Sequence, residues 1–183
     1  MRLARRKETL YEYLTYDIVI THYFDTTHCL HITNPSAEKL EIDKIVFDTE
    51  NQAVLSAQDY IEKDLLEHAD KEKLDKAIHQ SIEKWEQIRH FVETPVSPVV
   101  EIVLSDATDE CGFCREFGCV QCPVRSKCRG IDRTFARLNK QYDWCLKSES
   151  SKVCMTENEW IATFYDIIDD ILDFLYNLKE KYL

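Results

Sequence analysis

Five of the chain's eight cysteines fall within eighteen residues: Cys111-Gly-Phe-Cys114-Arg-Glu-Phe-Gly-Cys119-Val-Gln-Cys122-Pro-Val-Arg-Ser-Lys-Cys128. The spacing is C-x2-C, four residues, C-x2-C-P, five residues, C. A C-x2-C turn wraps its backbone around one point and aims two thiolates at it. Two such turns supply the tetrahedral S4 set of a structural Zn2+ site. Cys111, Cys114, Cys119, Cys122 and Cys128 are thus five candidates for four ligand places. All three glycines of the chain, Gly112, Gly118 and Gly130, lie in the same segment. Glycine reaches positive φ and allows close backbone approach at little cost, so tight loops are expected there. Phe113 and Phe117 are expected to form a miniature local core. A structural zinc contributes roughly 10–16 kcal/mol of apparent binding energy to folding, which is what such a segment needs.

Other readings of the cysteines are weaker. Cys114-x4-Cys119-x2-Cys122 matches a plant-type iron–sulfur spacing, Cys122 precedes a proline as in bacterial ferredoxins, and Cys145 or Cys154 could be a distant fourth ligand. A three-Cys fragment is easily matched inside a five-Cys cluster, so zinc is favoured. Disulfides are expected to be rare: the basic run Met1–Lys7 is followed by no apolar h-region or cleavage site, which points to a reducing compartment. Cys29, Cys145 and Cys154 lack partners at ligand spacing and read as small buried apolar residues. Four thiolates leave no open coordination position, so Lewis-acid chemistry is not expected of the cluster.

The rest of the 183-residue chain reads as an α+β domain. Its apolar fraction of 44% and aromatic fraction of 11% exclude a disordered chain. No apolar run approaches the roughly 18 residues of a membrane span. Tyr16–Phe24 and Cys29–Thr33, rich in β-branched and aromatic types, predict a hairpin turning at Asp25-Thr26-Thr27. Ile42–Asp48 and Ala53–Leu55 predict a second hairpin, followed by a short helix capped by Ser56. Asp70 caps a longer helix whose positions Leu74, Ala77, Ile78, Ile82, Trp85, Ile88 and Val92 follow the 3.6 period, ended by Pro95 and Pro98. Val99–Leu104 reads as a strand, and a helix is expected over Asp132–Leu146. Thr156-Glu157-Asn158-Glu159 is a capping box opening a C-terminal amphipathic helix. The organisation is a β-rich region over 1–56 and a helical region over 57–183 carrying the Cys loop at 111–130, within one compact unit.

Charge is segregated. The net charge is −11, which opposes whole-surface attraction to DNA or anionic lipid. Residues 111–147 nevertheless hold eight Lys and Arg against three Asp and Glu. Arg125, Lys127, Arg129, Arg133, Arg137 and Lys140 form a basic stretch, and Arg133, Arg137 and Lys140 share a helical face. Phosphate contact is one reading; internal pairing with the acidic helices is slightly favoured. Asp166, Asp169, Asp170 and Asp173 read as a solvated face, with imitation of a phosphate row as a second use. His22, His28 and His31, with Asp25, cluster in the first hairpin. His28 and His31 point to opposite strand faces, so exposed or core-edge histidines are favoured over a metal or general-base site. No phosphate loop, H-E-x-x-H motif or Ser-His-Asp order is present.

Trp85-Glu86 on a helix, then Cys111-x2-Cys114, Cys119-x2-Cys122-Pro123, Cys128-Arg129-Gly130 and a C-terminal amphipathic helix resemble a group of small Cys-rich phage and prophage proteins. The resemblance covers about residues 79–178, and the gap between pairs is usually longer in that group. It implies a phage or mobile-element protein acting in a bacterial cytoplasm and carries no activity with it. The closed S4-type site, the absence of catalytic constellations and the segregated charge make the expected function non-enzymatic: a zinc-stabilised binding protein that docks on a host or phage macromolecule, with a protein partner expected, and inhibits a nucleic-acid-handling or defence complex. The alternatives are a nucleic-acid-binding zinc module using residues 125–140, and an iron–sulfur or metal-dependent enzyme.

Overall fold

A computed structural model describes residues 5–23, 27–42, 45–94, 99–107, 110–147 and 154–183. The architecture is α+β, as the pattern predicts: a four-stranded antiparallel sheet followed by six helices. The described residues divide into two compact units, one of 1–69 with 119–123, the other of 70–118 with 124–183.

In the first unit, β1 (Arg5–Tyr13), β2 (Tyr16–Tyr23), β3 (His28–Thr33) and β4 (Val46–Phe47) pair in sequence order. Leu14 and Thr15 form the two-residue β1–β2 turn with φ of 51° and 70°. Two positive φ values are what a turn matching the strand twist requires. Ile18 faces Ile32 and Ile20 faces Leu30 across β2 and β3, and all four are buried. This row packs with Ala53, Ala57 and Ile61 of α1 (Glu50–Glu67) in one core. Alanines four apart lie on the same helical face and let the helix approach the sheet closely.

Two expectations fail here. Ala53–Leu55 is helical, and the cap is Thr49, whose Oγ1 accepts the Gln52 amide at 3.2 Å, with Ser56 inside the helix. A cap seven residues earlier lets the two alanines serve as sheet-facing positions. The division of the chain accordingly falls at 69/70 and not at 56/57, because α1 packs on the sheet. The predicted turn residues Asp25 and Thr26 lie outside the described residues, as do Pro95 and Pro98.

The second unit holds α2 (Lys71–Glu93), α3 (Val99–Asp106), α4 (Gly112–Phe117), α5 (Arg125–Lys147) and α6 (Glu157–Tyr182). Asp70 caps α2, accepting the Lys73 amide at 3.0 Å, and the capping box of α6 is formed in full. The apolar stripes of α2 and α6 face each other. Trp85, Phe135, Phe164 and Trp160 make a chain of ring contacts, with centroids 5.8, 6.3 and 5.8 Å apart, that ties α5 to both. Val99–Leu104 is helical and not a strand. Its buried residues Val99, Val100, Val103 and Leu104 lie on one helical face while Glu101 and Ser105 face solvent, so tertiary packing, not β-propensity, settles it. The helix expected from Asp132 begins at Arg125 and so includes Cys128.

Candidate metal centre

The C-x2-C turn is built by the docking of α4 on α2. Gly112 sits where a Cβ would come within 2.3 Å of the Ala77 carbonyl oxygen, so no side chain fits. Its amide donates to Ser81 Oγ at 3.1 Å in a buried site. Phe113 is buried and stacks on Phe117 at 6.2 Å, so the expected aromatic pair is present. Lys76 pairs with Glu116 at 2.6 Å. Gly118 ends α4 at φ 67°, ψ 166°, donating its amide to the Cys114 carbonyl at 3.0 Å; that conformation is open essentially to glycine alone. Gly130 departs from the loop expectation: it lies inside α5 with open space around it.

Cys111 precedes α4 as its N-cap, Cys114 is on α4, and Cys128 occupies the first turn of α5. Their three sulfurs lie within 4.8 Å of one another, partly buried. Ligands on a tetrahedral zinc with Zn–S near 2.3 Å sit about 3.8 Å apart, so the trio fits an ion after a small contraction. Helix N-termini carry partial positive charge and favour thiolates. The Cys111 thiol is lowered to about 5, first by a hydrogen bond from Cys128 and then by the backbone amides of Cys114 and Phe113, against the opposing effect of burial. Cys128 is raised because its proton is held by Cys111, with burial adding to the effect.

Of the five candidates, the structure gathers Cys111, Cys114 and Cys128. Cys119 is exposed and Cys122 buried, both on the 119–123 segment. The set takes two cysteines that the ferredoxin spacing leaves out. Cys145 and Cys154, read as buried apolar residues or distant cluster ligands in a chain where disulfides are expected to be rare, are instead joined by a disulfide with Cα atoms 5.5 Å apart. The C-terminal end of α5 and the start of α6 bring them together, an adjacency that sequence spacing does not reveal. Cys29 is buried as expected.

The basic stretch divides. Arg125 is half-buried, and Lys127 lies over the Phe174 ring at 5.3 Å. Arg129, Arg133, Arg137 and Lys140 are exposed along α5, and no ion pair joins them to a described residue. The favoured expectation of internal pairing therefore fails for these four, because α5 turns Phe135 and Leu138 inward and the charges outward. On α6, Asp169 meets Arg89 at 3.3 Å, while Asp166, Asp170 and Asp173 stand in solvent. In the first unit His22 and His28 meet across β2 and β3, and His31 is exposed beside Cys29, 3.7 Å from its sulfur.

No protein-family model, curated protein or solved structure matches this chain. No helix among the described residues is long and apolar enough to cross a membrane.

Proposed function

We propose that the chain is a non-enzymatic, zinc-stabilised binding protein that docks on a host or phage macromolecule and inhibits a nucleic-acid-handling or defence complex. The convergence of Cys111, Cys114 and Cys128 from two helix starts carries this reading. Thiolates at this spacing are the soft ligands that select Zn2+ among available divalent ions, and the trio secures a segment with little apolar core of its own. Exposed Asp166, Asp170 and Asp173 share one face of α6 and span about 10 Å of helix, a carboxylate row of the kind a phosphate-binding groove accepts. The resemblance to phage and prophage proteins supplies the bacterial cytoplasmic setting.

The test has two arms. Purified protein is expected to be colourless and to hold zinc that Cys111→Ser and Cys128→Ser release; a brown protein with visible absorbance favours the iron–sulfur alternative. Nuclease-treated host lysate is expected to yield a partner whose capture Asp166→Lys with Asp170→Lys abolishes, and recovery of none removes the docking reading.

A second reading has its own observation. Arg133, Arg137, Lys140 and Trp144 fall at i, i+4, i+7 and i+11 on α5, all exposed, with Trp144 51% accessible. Cations in a row with an accessible indole match what single-stranded nucleic acid requires, phosphate neutralisation and base stacking. This reading predicts a salt-sensitive mobility shift lost in Arg133→Glu with Arg137→Glu; no shift at low salt ends it.

A further inference from the structure

The core-facing row of the sheet runs Ile18 opposite Ile32, then Ile20 opposite Leu30, and ends in His22 opposite His28. A third apolar pair would continue the row; two imidazoles stand there instead. Their rings meet edge to face with centroids 4.8 Å apart, and the two Nδ1 atoms approach to 2.8 Å. His22 Nε2 lies 2.8 Å from Thr9 Oγ1 on β1 and 4.0 Å from Glu50 Oε1 at the start of α1. Glu50 in turn accepts the Tyr11 hydroxyl at 2.5 Å, and this bond, with His22 and His28 nearby, holds its carboxyl below the ordinary range.

We propose that His22 and His28 form a second metal site, in the sheet unit, taking a borderline divalent ion such as Zn2+, Co2+ or Ni2+ between their Nδ1 atoms. Two imidazole nitrogens about 2.05 Å from an ion at angles of 90–109° lie roughly 2.9–3.4 Å apart. The observed pair needs to open by only a few tenths of an ångström. Metal at Nδ1 fixes the His22 tautomer, leaving Nε2–H to donate to Thr9 Oγ1, with the Glu50 carboxylate beyond it. A ligating histidine whose other nitrogen is held by an oxygen acceptor and backed by a carboxylate is the usual outer-shell arrangement of metal-binding imidazoles. Imidazole suits Zn2+, Co2+ and Ni2+. Two protein ligands leave coordination positions for water or for a donor atom from a bound molecule. The site is independent of the cysteine trio and stands or falls separately from it.

Cobalt distinguishes the two. Co2+ added to protein whose thiols are already saturated with zinc is expected to bind one further equivalent, giving ligand-field bands without the sulfur-to-cobalt charge-transfer band that thiolates produce. His22→Ala and His28→Ala are each expected to abolish that equivalent, and Thr9→Val to weaken it about tenfold, the lower end of the outer-shell range. His28→Gln, which keeps a polar side chain of similar size, replaces the alanine variant if circular dichroism shows that variant unfolded. Absence of the additional equivalent in the native chain, or its persistence in the histidine variants, overturns the proposal. Cobalt taken up by the thiols instead would show the charge-transfer band, so the two sites are read separately.

Discussion

The sheet unit and the cysteine segment reach order by different means. In the sheet unit, alternation places Ile18, Ile20, Leu30 and Ile32 on one face, and α1 covers them with Ala53, Ala57 and Ile61. In the cysteine segment α4 is only six residues long, too short to persist alone. It is held through Phe113 and a glycine contact, and three sulfurs that could take a metal ion converge beside it. Apolar burial is distributed and tolerates the loss of any one member; ligation at the proposed metal centre would concentrate the same role in a few atoms. Damage to the two regions should therefore look different.

The sharpest break in the comparison is metal removal. On the proposed zinc reading, Cys111→Ser combined with Cys128→Ser, or a strong chelator, removes a contribution of the order of 10–16 kcal/mol. Hydrogen exchange is expected to show α4 and the first turn of α5 losing protection while β2 and β3 keep theirs. Simultaneous loss in both places would erase the distinction.

The converse variant is Ile61→Ala. Ile61 is fully buried in the sheet unit, and its truncation is expected to cost about 2–5 kcal/mol. Denaturant unfolding measures it, and zinc affinity should not change.

Gly112→Ala tests how the thiols are positioned. The added methyl meets the Ala77 carbonyl, and overpacking of this kind costs about 1–3 kcal/mol. Because α4 must shift to relieve it, metal affinity should fall with stability, unlike in Ile61→Ala.

Smaller effects belong to helices governed by local rules. Thr156→Ala should cost about 1 kcal/mol, since Thr156 Oγ1 accepts the Glu159 amide at 3.3 Å and Glu159 accepts the Thr156 amide at 2.7 Å. That last bond lowers the Glu159 carboxyl below its ordinary value. A lowered folded-state value means the contribution is present above the unfolded carboxylate range and is lost as pH falls through the folded value. Acid titration of thermal stability should therefore narrow the gap between the native chain and Glu159→Ala, which removes the carboxylate while keeping the residue 156 amide. Gly130→Ala, in open space within α5, should raise stability by about 0.5–1 kcal/mol.

Legibility in the sequence followed the range of the interaction. The caps at Asp70 and Thr156 and the periodic faces of α2 and α6 depend on residues three or four apart, and the structure forms them as read. The thiol cluster was equally visible, because C-x2-C is a local geometry. Residues whose state depends on distant partners were not. Ala53–Leu55 and Val99–Leu104 are short apolar runs that fit either secondary structure until something packs on them. Strand β1 escaped notice because its turn uses Leu14 and Thr15 at positive φ, without the Asn or Gly that usually signals it.

The amino-acid order by itself determined the α+β class, the amphipathic helices, the segregation of charge and the set of five candidate thiols, since each is a property of neighbours along the chain. Only the tertiary structure decided which three thiols converge, that Cys145 meets Cys154, that the cations of α5 face solvent, and that His22 and His28 end the core row as a pair. Those outcomes turn on distances between residues far apart in sequence or on different elements. Such distances are set by how helices and strands pack, and no local pattern encodes them.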